Sequence, residues 1–381
     1  MKKIKKNKAT SFSNLIENEI RNNSLRQGFS KGIKKHIEQI RFKKSDVHQD
    51  FTHIPFITID GHDSKDFDDA VWSENTEEKS KIMVAIADVS FFVEENDPVD
   101  IEAKKRGNSF YFPDRVIPML PEELSNDLCS LVPNENRKSI IVEINLINGI
   151  FKSFKLHRGE IKSVARLTYT EVERIYLNED SKNEFYEIVF NLFSSFNIIK
   201  EKSRLREKIE FNSDDYEIIL KDSDNFQLKK KIKLKSYNLI EEFMVLTNYV
   251  IANFFKQNNV SSIFRNHQKP SNEKVKPLKQ LIKSLDINYP GNLQSQKDFN
   301  KLINIFKKMR KSFLNDFLLK AQNRAFYSAK NEGHFGLSLD NYLHFTSPIR
   351  RYSDLIVHRD LINFYFKRTK KISGEISEHL N

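Results

Sequence analysis

The chain is predicted to be α+β, a mixed β-sheet surrounded by helices. Three observations predict it: β-branched and aromatic runs crowd residues 54 to about 147, helical periodicity takes over from about Tyr169, and no strand–helix unit repeats. Strands first and helices afterwards favour one α+β domain over a βαβ array. With 381 residues and 39% apolar content the chain can bury a core. Ten Gly and ten Pro are few for that length, which excludes collagen-like and linker-dominated architectures.

Residues 1–50 come first, a basic, helix-prone extension. "SNLIENEI" and "KGIKKHIEQI" place Ile and Leu at three- and four-residue spacings. The extension holds 13 Lys and Arg against 5 Asp and Glu, so it carries +8 of the formal +11. That polarised charge suits a polyanion, because each phosphate neutralised releases counterions, and makes the extension the chain's main candidate for electrostatic capture.

From Ile54, "FITI", "KIMVAIADVSFFV", "SFYF" and "SIIVEINLI" read as strands separated by polar turns. From Tyr169, "TEVERIYL", "EFYEIVFNLFSSFNIIKEKSRLREKI", "YNLIEEFMVLTNYVIANFFKQ" and "EKVKPLKQLIKSL" read as helices, and "YEIILKDSDNFQLKKKIKLKS" as a charged, strand-like insertion among them. The expected division is 1–50 extension, 51–368 catalytic domain and 369–381 polar tail. A lone Cys129 excludes an intramolecular disulfide and a multi-Cys zinc site. No apolar run is long enough for a bilayer, and the N-terminus lacks a signal-peptide apolar stretch, so no membrane partner and a cytoplasmic location are expected.

The chemistry is expected where "ITIDGHDSKDFDDAVW", residues 57–72, packs Asp60, Asp63, Asp66, Asp68 and Asp69 between two apolar strands. Carboxylates this close repel one another unless a cation compensates, and hard oxygen ligands suit Mg2+. A calcium loop starting at Asp60 fails, since Lys65 and Val71 stand where it needs Gly and Glu. Zinc would need more than His62. A solvated turn is the bland alternative, but entry from and exit into buried strands make a rigid platform of the kind two-metal phosphodiester hydrolysis uses.

These residues, with "RGNSFYFPDRVIPMLPEELSNDLCSL", "ARLTYTEV", "LIEEFMVLTN" and "HFGLSLDNYLHFTSPIRRYSDLIVHR", resemble the RNB exoribonucleases, the ribonuclease II and ribonuclease R family, and are nearer its ribonuclease R branch. The segments follow family order from about residue 54 to 365. The resemblance implies an RNB-type fold with an RNA channel leading to a buried acidic metal site. It also implies a 3′-to-5′ exoribonuclease that degrades single-stranded RNA processively to nucleoside 5′-monophosphates with Mg2+, Mn2+ being a substitute.

By motif position, the resemblance makes Asp60, Asp66, Asp68 and Asp69 the metal carboxylates, with Asp68, Arg350 and Tyr111 catalytic. Asp63 matches no acidic position in ribonuclease II and reads as a turn residue. Tyr111 resembles the tyrosine near the terminal nucleotide, and Tyr169 and Phe211 resemble residues that bracket the stacked bases. Glu241 corresponds to a glutamate that contacts RNA, with Glu242 as the competing register. Arg351 is expected to bind the RNA backbone or to pair with Asp354. His334 and His344 read as structural or RNA-facing, and Ser347, Ser353 and His358 lack the further signs of a hydrolase triad.

Relatives of this kind carry OB-fold domains on both sides, with no counterpart here, so the expected partners are single-stranded RNA with a free 3′ end and a protein supplying OB-fold domains. The tail reads as truncated relative to the family, and a monomer is expected. A subunit that binds RNA without cutting it is the reading of another class. Retention of four carboxylates and Arg350 beside a polyanion favours the enzyme.

Overall fold

The computed structural model describes residues 12–44, 48–180, 182–211, 216–221, 225–289, 291–366 and 379–381. Helices α1 (Phe12–Asn22) and α2 (Lys31–Ile40) precede strands β1 (Gln49–Asp50), β2 (Ile57–Asp60), β3 (Asp69–Asn75) and β4 (Lys79–Ala87). Next come helices α3 (Val89–Phe92) and α4 (Pro98–Arg106) and the ribbon of β5 (Phe110–Tyr111) and β6 (Val116–Ile117). Strands β7 (Asn136–Ile147), β8 (Ile150–Lys162) and β9 (Ala165–Thr168) lead to α5 (Tyr169–Tyr176), α6 (Tyr186–Leu205) and the hairpin β10 (Tyr216–Leu220) and β11 (Phe226–Lys230). Helix α7 (Lys235–Gln257), strand β12 (Phe264–Asn266), helices α8 (Asn272–Ser284), α9 (Gln296–Lys308) and α10 (Asn315–Ala321), strand β13 (Phe326–Ser328) and helix α11 (Tyr352–Leu361) follow.

One mixed seven-stranded sheet has the order β1-β8-β7-β4-β3-β2-β9. Its end pairs, β1 with β8 and β2 with β9, are parallel, and the others are antiparallel. Both faces are covered, which is why its strands read as near-continuous apolar runs. Ile82, Val84, Ile86, Ile140, Val142 and Ile144 face a core completed by α5, α6 and α7, with Val172, Phe196 and Phe243. The alternate residues Met83, Ala85, Ala87 and Ile141 face α2, α3, α4 and α11. A separate cluster joins α8, α9 and α10 through Leu278, Phe299, Phe306 and Leu318.

One expectation is corrected. The run "KIMVAIADVSFFV" is not one strand: β4 ends at Ala87, and Asp88 accepts the Phe91 N–H at 3.1 Å to cap α3. Asp88 is fixed there by His48 at 3.0 Å and Arg158 at 2.5 Å, so tertiary ties override β propensity. The N-terminal helices, whose charge is expected to serve electrostatic capture, pack their apolar faces on the rest of the fold. Ile16 and Ile20 of α1 bury against Ile117, Phe110 and Phe112 of the β5–β6 ribbon, and Ile33 and Ile37 of α2 join the core on one face of the sheet. Arg26, Arg41 and Lys43 pair with Glu102, Asp127 and Glu94. Arg21, Lys31, Lys34, Lys35 and Lys44 stay exposed as candidates for capture, and Lys2, Lys3, Lys5, Lys6 and Lys8 lie outside the described residues.

Candidate active site

Asp60 is the last residue of β2 and Asp69 the first of β3, antiparallel neighbours, so the acidic loop leaves and re-enters the sheet at one edge. Ile57, Thr58 and Ile59 are buried, and Asp60 is the first residue of the strand to reach solvent. The loop is fastened along its length. Phe67 is buried, its N–H donates to Ser130 Oγ at 2.9 Å, and its carbonyl accepts the Leu131 N–H at 3.0 Å. Ser130 Oγ also donates to the Lys65 carbonyl at 2.7 Å, and the Ala87 N–H donates to the Asp68 carbonyl at 2.9 Å. From β9, Arg166 Nη2 donates to the carbonyls of Gly61 and His62. Asp63 stands in solvent beside His62, 2.9 Å away.

The arginine turn arrives from the far end of the chain. The Ile349 N–H donates to Asp68 Oδ1 at 2.8 Å, and Arg350 Nε lies 3.3 Å from Asp68 Oδ2. Helix α4 ends at Gly107, whose φ of +73° suits a residue without Cβ, and its carbonyl accepts the Tyr352 N–H at 2.8 Å. The Ser109 N–H donates to the Arg350 carbonyl at 3.0 Å, which stitches the ribbon bearing Tyr111 to the same turn. Tyr111 OH donates to Asp66 Oδ2 at 2.8 Å. Four carboxylates, one guanidinium and one phenol, from segments up to 290 residues apart, thus share one electrostatic neighbourhood.

Burial raises Asp60, Asp68 and Asp69. The pKa of Asp60 is pushed up to about 8 by desolvation and then by the charge of Asp69, with Arg350 pulling the other way. Asp69 is raised to about 6 by burial against the pull of Arg350. Burial also lifts Asp68 well above the usual range, opposed by Arg350 and the Ile349 N–H. Burial and the neighbouring Asp66 carboxylate raise the Tyr111 phenol, keeping it protonated.

The donor set fits a hard divalent cation in its chemistry. Every donor is a carboxylate oxygen, negative charge is in excess, and Asp68 Oδ2 is buried without a hydrogen bond. Among the described residues no three Asp, Glu, His or Cys side chains close on one point as a finished cage. The carboxylates are instead grouped around Arg350, the counter-charge that holds Asp68.

The other expected residues fall at different places. The register of β2 with β9 sets Asp60 opposite Thr168, and a capping box between Thr168 and Glu171 starts α5 at Tyr169. Tyr169 is therefore beside the acidic site, and burial and then the charges of Asp69 and Asp60 raise its phenol. Phe211 lies apart, packed on the α8–α10 cluster. Arg351 makes a bidentate pair with Asp354, at 2.8 and 2.7 Å. Asp354 is fully buried and also accepts from the Ser347 N–H and Ser353 Oγ; against the penalty of burial, Arg351 holds its pKa below the usual range.

Glu241 is exposed, 3.5 Å from Lys208 Nζ. Glu242 is buried and takes Lys208 Nζ at 2.6 Å and Ser203 Oγ at 3.2 Å. Only Glu241 is open to a ligand. His344 Nδ1 meets Tyr327 OH at 2.8 Å, and burial lowers both His334 and His344 to about 3, so both are neutral. His358 Nε2 donates to the Phe345 carbonyl and Ser347 Oγ accepts from Arg350, so no Ser–His relay forms among the described residues.

Two residues escaped the sequence reading. Arg166, inside "ARLTYTEV", secures a loop about a hundred residues earlier in the chain; only the parallel pairing of β9 with β2 reveals it. Tyr237 packs against Tyr169 with ring centroids 4.2 Å apart and planes tilted by 33°, next to the hydrogen bond that Ser236 Oγ donates to the Tyr169 carbonyl at 2.8 Å. Its only sequence signal was an aromatic at the start of a long helix.

Comparison with known proteins matches residues 48–367 to the RNB domain. The chain is 37% identical to ribonuclease R of Buchnera aphidicola over 350 residues, 88% of this chain and 47% of the relative. It is 37% identical to ribonuclease R of Escherichia coli over 338 residues, 86% of this chain and 42% of the relative. The chain thus spans about half the length of these curated relatives. A solved structure of Mycoplasma genitalium RNase R with ribose-methylated single-stranded RNA superposes with a TM-score of 0.89 at 28% identity, covering 96% of this chain and 61% of that one. Among the described residues no helix is long and apolar enough to cross a membrane.

Proposed function

Because the chain belongs to the RNB domain family, we propose that it is a 3′-to-5′ exoribonuclease, hydrolysing single-stranded RNA processively to nucleoside 5′-monophosphates with Mg2+. The observation that carries this reading is the meeting of Asp68 with Arg350 inside the acidic loop, 3.3 Å apart. Asp60, Asp66, Asp68 and Asp69 would hold the Mg2+, which when bound supplies Lewis-acid charge and a more acidic water.

The chain's own residues do the rest. Arg350 is half-exposed and bonded to Ser347 Oγ at 3.2 Å, so its guanidinium is aimed yet open to a phosphate oxygen. Charge building on the phosphate in the transition state strengthens that contact, and the interaction lowers the barrier. Tyr111 OH, fixed on Asp66, orients the last nucleotide. Water oxygen bonds to phosphorus, and the 3′-oxygen of the preceding ribose leaves with a proton.

The relative bound to single-stranded RNA supports the substrate class. A time course with 5′-labelled single-stranded RNA and Mg2+ tests it. Stepwise shortening to a short labelled product is expected, and blocking the 3′ end should stop it. An intact strand that still binds would identify an RNA-binding module instead.

A further inference from the structure

The packed N-terminal helices leave the question of where RNA is first caught. The hairpin β10–β11 and the segment to α7 offer a different cationic surface. Residues 212–235 hold six lysines against Glu217 and four aspartates, and five of the lysines gather in residues 229–235. Lys229, Lys231, Lys233 and Lys235 recur at every second residue and are exposed, and no ion pair ties Lys231 or Lys233 to another described residue. Every second residue of an extended chain advances by about 6.6 Å, comparable to the step between phosphates of an extended single strand.

Apolar surface occupies the face of the ribbon opposite Lys229, which stands across from Glu217. Residues paired across the hairpin share a face, which sets Tyr216, Leu228 and Phe226 together, 57%, 57% and 49% exposed. Phe226 packs at a tilt against Phe12 of α1, ring centroids 5.0 Å apart, which anchors the hairpin to the packed N-terminal helix. The lysine segment then runs directly into α7, where Tyr237 is 43% exposed and packs at a tilt against Tyr169 beside Asp60 and Asp69. The lysines and the Tyr237 ring follow one another along the chain, and Tyr237 meets Tyr169 beside the acidic site.

We infer that Lys229, Lys231 and Lys233 form an outer track for the phosphates of the incoming RNA single strand, which passes on to the Tyr237–Tyr169 pair and so to the acidic loop. The inference rests on the exoribonuclease reading. Phosphate contacts of this kind are sequence-independent and release counterions, and stacked aromatics accept any base. A strand engaging all three lysines loses affinity with salt by about 0.7 logarithmic units per contact.

The test uses the full chain with Asp68→Asn to prevent cutting, with and without Lys229→Ala, Lys231→Ala and Lys233→Ala together. Affinity for RNA of about 20 nucleotides and of about 5 nucleotides is measured across a salt series. The triple substitution should weaken the long strand by about tenfold or more at low salt, flatten its salt slope by about 2 units and leave the short strand unchanged. Equal slopes for the long strand in parent and variant would overturn the track, as would equal weakening of both strands. Exposed lysines leave the fold intact, which thermal melting checks. If the wild type cuts RNA and the slopes do not differ, the track alone fails. If the wild type neither binds nor cuts RNA, the functional reading fails with it.

Discussion

The acidic loop and the lysine hairpin are opposites in construction. The loop is held by hydrogen bonds from β4, Ser130, Leu131, Arg166 and Ile349, and most of its chemistry is sunk below the surface. The hairpin is a two-stranded ribbon whose described ring contact is Phe226 on Phe12, with its lysines in water. The difference follows from what each must do. Stabilising a transition state needs donors fixed in a low-dielectric site, whereas catching a polyanion needs charge that is numerous, exposed and tolerant of movement.

The sharpest way to break that comparison is at the support of the arginine turn. Asp354→Ala leaves the Arg351 guanidinium half-buried without its bidentate partner and frees the Ser347 N–H, so a loss of about 3–5 kcal/mol in chemical denaturation is expected. A loss under about 1 kcal/mol would mean that the turn is not rigidly supported.

A second test uses pH without divalent cation. Asp60, raised to about 8, holds a proton in the folded protein that the unfolded chain releases near 3.9. Its stabilising contribution is therefore complete at low pH and fades as pH climbs from about 4 through 8. Asp60→Asn should remove that contribution, giving a higher melting temperature than wild type near pH 8, and Mg2+ should raise the melting temperature of wild type more than that of the variant. Identical pH profiles would show that Asp60 is not burdened by its neighbours.

Tyr169→Ala probes the junction of the two regions. Removing the partner of Tyr237 costs about 1–3 kcal/mol of stacking, felt most by the shortest RNA, so the final labelled product should lengthen while long RNA is cut at nearly the same rate. An unaltered product ladder would assign Tyr169 to packing. The smallest effect is expected at the hairpin itself: Phe226→Ala should cost under about 1 kcal/mol, because its ring is half-exposed and supported chiefly by Phe12.

What could be read from the sequence divides along the same line. The β2–loop–β3 unit was legible because its strands and acids are contiguous, and Arg350 because "TSPIRRY" is a compact motif. Arg166, Tyr237 and the Asp88 cap were not, since each acts on or is held by residues distant in the chain. In residues 1–50 the Ile spacing encoded packing faces on α1 and α2, while Arg21, Lys31, Lys34, Lys35 and Lys44 of the same segment stay exposed. Glu241 and Glu242 could be told apart only once Lys208 and Ser203 were seen to enclose Glu242.

The central claim is that the buried acids perform the chemistry while affinity lies elsewhere, and Asp68→Asn tests it most directly. On one preparation, single-turnover cleavage of 5′-labelled RNA with Mg2+ and equilibrium binding of the same RNA are measured side by side. The expected result is cleavage below about a tenth of the wild-type rate, since each 1.4 kcal/mol lost from the transition state is about tenfold, with RNA affinity equal or improved because a negative charge has left the phosphate path. Cleavage above that level, or affinity that falls together with rate, would contradict the account.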